Sequence, residues 1–236
     1  MKKLLLFSLP IILISCVTSR YINYSVNNII VPKDAESIPI NVDIRTLTDN
    51  RAMIEDNMVL FTDPRETTIN KKRMCINSEK HYNQESVVNQ ITRILVKHIN
   101  SAKLFSNATF NENIDSIYYL TGALYCFYGE QEFSLKAKDA VAIGAMFGLV
   151  GGMIGGAISD NIKTPGTIVI EISDLKLFRK DGTLVKDLGN FSQEYKGDFK
   201  ENGSCWCIYE TVNVKLKDFN TKLIEKLRVD LMNAKL

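Results

Sequence analysis

Twenty consecutive residues, Ala140 to Ser159, carry no charge, and glycine returns through them at a fixed step. Gly144, Gly148, Gly152 and Gly156 stand four apart, with Gly151 and Gly155 directly before the last two. On a helix that step lays the glycines along one side as a groove that drifts slowly round the axis. Ile143, Phe147, Val150, Ile154 and Ile158 cover the rest. In water the helix would be poor, because six interior glycines cost roughly 5–6 kcal/mol relative to alanine. Close packing must offset that cost, and small residues at this spacing let helices approach closely in a membrane as a glycine zipper.

Three conformations satisfy the pattern. One is a helix in or on a bilayer, self-associating with Gly144, Gly148, Gly152, Gly156, Phe147 and Ile154 at the contact. Another is a helix or hairpin buried against the protein's own sheet, and the third is a loose apolar loop. The length fits one bilayer crossing. A lone crossing would leave the C-terminal half on the far side. A hairpin bent at Gly151-Gly152 would return to the same side, with arms too short to span.

The N-terminus points to a membrane independently. Lys2 and Lys3 precede an uncharged apolar run from Leu4 to Ile14, followed by Ser15 and Cys16. A basic pair, a short apolar run and a small residue before a cleavage point make a secretory signal peptide. Its 11 residues are too few to cross about 30 Å of hydrocarbon, and Pro10 would disturb such a helix. Leu13-Ile14-Ser15-Cys16 resembles the lipobox of bacterial lipoproteins. The resemblance covers residues 1–16 and implies that Cys16 receives a diacylglyceryl thioether, becomes the mature N-terminus and is then N-acylated. Stable anchoring needs at least two hydrophobic signals, which such a group supplies. Val17-Thr18-Ser19 lack the aspartate that holds some lipoproteins in the inner membrane, which favours the outer one.

Removing the leader takes Lys2 and Lys3, so the formal charge falls from +2 to zero. A neutral chain argues against nucleic acid, whose binding is driven by clustered Lys and Arg. The one dense basic cluster, Lys71-Lys72-Arg73, reads as a solvated loop. Cys75, Cys126, Cys205 and Cys207 remain in an oxidising compartment, where disulfides persist. Four cysteines allow three full pairings, and the sequence does not choose. Cys205-Trp206-Cys207 would set both thiols on one face of a strand, with Trp206 as an amphipathic anchor near a turn or interface. Zinc lacks the usual C-x₂₋₄-C pair.

Residues 16–36 are polar and Asn-rich and read as a tether; residues 37–236 form one domain, interrupted by the 140–159 insert. Ile38 to Leu47 alternates as a half-buried strand. A short strand is expected at Met58–Phe61. Asn83 can cap a helix from Gln84 to Asn100, with Val87, Ile91, Ile94, Leu95, His98 and Ile99 on one stripe. Ile117–Phe133 reads as a long strand bulged at Gly122 or Gly129. Thr167–Phe178 alternates, with its phase shifted between Ile172 and Leu175. Lys180-Asp181-Gly182 is a turn signal, Leu184–Phe199 the returning strand, and Glu201-Asn202-Gly203 a further turn. Tyr209–Val214 fits a strand or the start of a helix. Phe219, Leu223, Ile224, Leu227 and Leu231 stripe a C-terminal helix over 217–233. The expected class is α+β: an antiparallel or mixed sheet with two main helices on one face, plus the glycine-rich helical insert.

This layout resembles the auxiliary lipoproteins of ABC-type transporters and related envelope-assembly lipoproteins. The resemblance rests on Leu13–Cys16, the strand Ile38–Leu47, the helix Gln84–Asn100 and the strand Ile117-Tyr118-Tyr119-Leu120-Thr121-Gly122. It implies a binding or transport-accessory module with a protein partner. The glycine-rich insert departs from that pattern and favours self-association.

No catalytic constellation appears. His98 lies on an apolar stripe as a core histidine, and His81 sits among polar residues. There is no His-x-x-x-His pair, no Gly-x-Ser-x-Gly elbow, and no Lys-Ser/Thr end to the glycine-rich stretch. Asp43, Glu171 and Asp174 are expected to face solvent. Neither an enzyme nor a cofactor is expected.

Overall fold

The computed structural model describes residues 36–51, 58–61, 71–76, 85–112, 116–133, 162–200 and 206–234. In chain order the elements are β1 (Ile38–Ile44), β2 (Thr48–Asp49), β3 (Met58–Phe61), β4 (Lys71–Ile76), α1 (Val87–Ser101), β5 (Phe105–Phe110), β6 (Tyr118–Phe133), β7 (Lys163–Arg179), β8 (Leu184–Lys200) and α2 (Trp206–Met232). The class is α+β: among the described residues, one mixed sheet of eight strands carries two helices.

Three long strands form the body of the sheet. β6 pairs antiparallel with β7, and β7 with β8. The opposite edge of β6 is shared along its length. Its first half takes β1 and β2 in parallel, and its second half takes β4 antiparallel. β5 extends the first half beyond β1, also in parallel, and β3 extends the second beyond β4.

The sequence periodicities explain why these segments adopt these states. In β7, Ile168, Ile170 and Ile172 are fully buried, and then Leu175 and Leu177 are, one step out of phase. A bulge absorbs the extra residue: the register slips between Ile172 and Leu175, and Asp174 takes φ +52°. The Asp174 N–H donates to Asn190 Oδ1 at 3.0 Å, and Gly189 opposite supplies a second positive φ of +69°. β6 slips twice, around Gly122 as expected and around Tyr125. Gly129 lies in regular ladder, and its smallness serves packing instead. The β7–β8 turn is closed by Gly182 at φ +90° and by Thr183 N–H donating to Asp181 Oδ1 at 2.8 Å.

α1 buries Val87, Ile91, Leu95 and Ile99 completely. Its cap is Ser86, three residues later than Asn83: Ser86 Oγ accepts from the Asn89 N–H at 3.3 Å. Satisfying one otherwise orphaned N–H this way is worth about 1 kcal/mol. α2 buries Ile208, Val212, Leu216, Phe219, Leu223, Ile224, Leu227 and Leu231. Each such side chain gains roughly 1.5–3 kcal/mol on leaving water. The two helices meet through a polar contact, His98 Nδ1 lying 3.0 Å from Asn220 Nδ2, both residues fully buried. His98 is therefore a core histidine, as its stripe implied. Both helices and the inward strand residues form one core cluster.

Four expectations are corrected. Lys71-Lys72-Arg73 opens strand β4 and is no loop, because β6 offers a long unpaired edge there. β5 was not foreseen; Phe105 and Ala108 are its buried residues, three apart across a register slip, which hides the alternation. Residues 206–216 are helical, so Trp206 and Cys207 lie in the first turn of α2 and not on a strand. Asp43 is 3% exposed, because the chain beyond β5 folds over it. Its Oδ1 accepts from the Thr109 hydroxyl at 3.1 Å and the Glu112 N–H at 3.0 Å. Glu171 is half-buried, and Asp174 is exposed.

Candidate functional site

The long strands give the domain two poles. At the first, the preceding chain joins the sheet: Ile38 N–H donates to Leu104 C=O at 2.9 Å, and the Arg228 guanidinium donates to Glu36 C=O and, at 2.7 Å, to Ala102 C=O. The β7–β8 turn lies at this same pole, since Lys180 N–H donates to Ile117 C=O at 2.7 Å. At the second pole β6 ends and β7 begins, and residues 134–161 pass between them. α2 links the poles, with Ile208 beside Gly129 and Arg228 beside Glu36. Twenty residues of helix rise separate them by about 30 Å.

The insert pole is tightly built. A Cβ at Gly129 would overlap Ile208 Cγ1, so glycine lets α2 start directly on β6. A Cβ at Gly166 would come 2.8 Å from both Glu130 O and Phe199 Cδ2. The Gln131 amide is 5% exposed and donates to the Phe199 and Lys200 carbonyls at 2.9 and 3.0 Å. The Thr164 hydroxyl donates to Glu132 C=O across the stem. The register runs to Gln131 opposite Gly166, so the insert leaves and rejoins the sheet at one place. The strands before and after it, β6 and β7, share one sheet.

Two shallow concavities flank this stem. One, of about 270 Å³, lies on the open face among Glu130, Glu132, Thr167, Lys196 and Asp198. The other, of about 360 Å³, runs between the end of β8 and α2, past Phe199, Glu210 and Val214. Val214 is 69% exposed.

The titratable groups nearby are poor reagents. Burial, then the Glu171 charge, pushes the Cys126 thiol up, which suppresses the nucleophilic thiolate. Burial, then Cys126, Glu130 and Glu194, pushes the Tyr128 hydroxyl up. Burial and Asp218 raise Tyr195 strongly. His98 is sealed between the helices, out of reach of any substrate. Among the described residues no group of three or more His, Cys, Asp or Glu is placed to hold a metal, and no helix is long and apolar enough to cross a membrane.

The residues singled out in the sequence fall as follows. Cys126 is a free, half-buried thiol on β6. Cys75 is registered opposite Gly129, three residues further along β6 than Cys126. Cys207 lies in the first turn of α2. Cys16, Cys205, His81, Gly144, Phe147, Gly148, Gly152, Ile154, Gly156 and the 201–203 turn lie outside the described residues. The stem latch of Gln131, Thr164 and Gly166 was not foreseen. Its signal was a lone glutamine on the inward phase of an otherwise apolar strand.

No family model matches the sequence, and neither does any curated protein. The fold is shared with the crystal structure of a Xanthomonas campestris protein of the DUF330 family, at a TM-score of 0.51 over 89% of this chain and 95% of that one. The two are 10% identical, so what this chain has in common with that DUF330 protein is the fold.

Proposed function

We propose that this chain is a lipid-anchored cell-envelope protein, held in the outer membrane, that works by binding as an assembly or transport-accessory module. The observation that carries the reading is the lipobox, Leu13-Ile14-Ser15-Cys16, behind a basic pair and a short apolar run. The α+β domain, whose fold the DUF330 protein shares, follows residues 16–36 in the chain. The domain's shallow concavities, and the Cys126 thiol and Tyr128 and Tyr195 hydroxyls raised beside long paired strands, fit a role in binding. Mass spectrometry of the native product tests the anchor. The expected mature N-terminus is Cys16 carrying diacylglyceryl and a further acyl chain. An unmodified thiol, or a mature end elsewhere, overturns the proposal.

The glycine repeat favours a second reading, in which copies associate in the membrane through Gly144, Gly148, Gly152 and Gly156. The stem constrains it: the insert would have to enter and leave on one side. Size measurement of the full chain in detergent separates the two. Under this reading Gly148→Leu with Gly152→Leu converts an oligomer to smaller species. A chain lacking 140–159 that stays folded, monodisperse and able to support its partner removes the pore reading.

A further inference from the structure

Single exposed apolar side chains are ordinary on a protein surface, but here they gather at the pole where the tether joins. Ile117 is 65% exposed, Leu184 49%, Val229 59% and Met232 40%. Ile117 lies at the base of the β7–β8 turn, its carbonyl held by Lys180 N–H. Leu184 begins β8 opposite Phe178, whose ring stacks on Tyr119 at 5.2 Å between centroids. Val229 and Met232 stand in the last turns of α2, beside the Arg228 that grips Glu36 C=O. Lys103, Arg179 and Lys180 are exposed at the same pole, together with the acids Glu36 and Asp181.

The chain before Glu36 says what covers this surface. Cys16 is twenty residues upstream, a span of no more than about 70 Å fully extended and about 25 Å as a coil. The insert pole stands about 30 Å further off by the rise of α2. Among the described residues, four of the six exposed large apolar side chains lie at this pole, with Val214 toward the other, and this is the pole a short tether keeps beside lipid. Tethering makes the contact intramolecular, at an effective concentration on the order of millimolar, so weak apolar contacts suffice. Apolar side chains with Lys and Arg nearby suit the headgroup boundary of a bilayer.

We infer that the tether pole rests on the bilayer that holds Cys16, with Ile117, Leu184, Val229 and Met232 at headgroup depth. The inference rests on the anchored reading above. Trp206, the one tryptophan, opens α2 at the far pole and serves as the internal reference. Full-length acylated protein would be placed in phosphatidylcholine–phosphatidylglycerol vesicles containing dibrominated phosphatidylcholine, a quencher of tryptophan within the bilayer. Expected are little quenching in the wild type and at least about a twofold loss of the fluorescence that Leu184→Trp adds. Leu184→Trp combined with Ile117→Glu should relieve that loss. If Cys16 is acylated by mass and the added fluorescence is untouched, the pole stands clear of lipid; this inference fails while the anchor stands. If Trp206 is quenched instead, the insert pole faces the bilayer and the inference is overturned. If Cys16 carries no lipid, the anchored reading fails by its own readout and takes this inference with it.

Discussion

The two poles of the sheet are held by different kinds of contact. At the insert pole, glycines at 129 and 166 bring backbone and side chains within reach of Ile208 and Phe199, and a buried amide binds two carbonyls. At the tether pole the chain is tied by a half-buried arginine on two carbonyls and by a hairpin turn whose aspartate is fully solvent-exposed. Buried, close-packed contacts have nowhere to relax, whereas solvated ones exchange partners with water. The difference teaches which end is packed more closely: the end where β6 and β7 flank the 28 residues 134–161, with their uncharged run of twenty.

Substitutions can break or sharpen that comparison. The largest effect is expected from Gly129→Val, which drives a branched side chain into Ile208. Overpacking of this kind costs roughly 3 kcal/mol, read as a lower denaturant midpoint. Next comes Gln131→Leu, which strands the Phe199 and Lys200 carbonyls and should cost about 2 kcal/mol. Faster hydrogen exchange should appear at the end of β8 in particular. Arg228→Ala removes two charge-assisted bonds from a half-exposed site. It should cost about 1 kcal/mol and speed exchange at Ile38 and Ala102. Were Arg228→Ala to equal Gly129→Val, the contrast between the poles would be gone.

The smallest effect belongs to Asp181 and is a matter of pH. The Thr183 N–H holds its carboxyl below the ordinary aspartate value near 3.8. A folded pKa lowered in this way stabilises above the unfolded value and loses that contribution as pH falls through the folded one. Asp181→Ala should therefore lower stability slightly at neutral pH and leave acid conditions nearly unchanged. Denaturant midpoints at neutral pH and below pH 3 would show it; an equal loss at both would assign the effect to the turn's geometry and not to its charge.

Much of the fold was legible because it is local. The stripe Val87, Ile91, Leu95, Ile99 marked α1, and the shift between Ile172 and Leu175 marked the β7 bulge before any partner strand was known. Asp181-Gly182 marked the hairpin for the same reason: a turn's backbone needs are met by the residues in it. β4 escaped, since Lys71-Lys72-Arg73 carries no inward–outward alternation, and its state is set by the edge of β6, more than fifty residues on. The start of α2 stayed open between strand and helix. Its first turns contain Val212 and Val214, which fit strand as readily as helix, and they are committed by Ile208 packing onto Gly129. The lysine cluster and the Cys205-Trp206-Cys207 triplet were thus misread in the same way, as local signals where a distant contact decides.

The chain alone carries its two uncharged runs, Leu4–Ile14 ahead of Cys16 and the glycine repeat of Ala140–Ser159, because both are written in consecutive residues. It also determined the α+β class, because amphipathic periods of two and of 3.6 residues belong to separate stretches. Only the tertiary structure decided that β6 ends beside the start of β7, and that Ile38 and Gln131 lie toward opposite ends of the sheet. Those facts depend on which strand lies beside which. Strand pairing joins residues far apart in sequence, through backbone groups that every residue carries alike, so no short pattern encodes it.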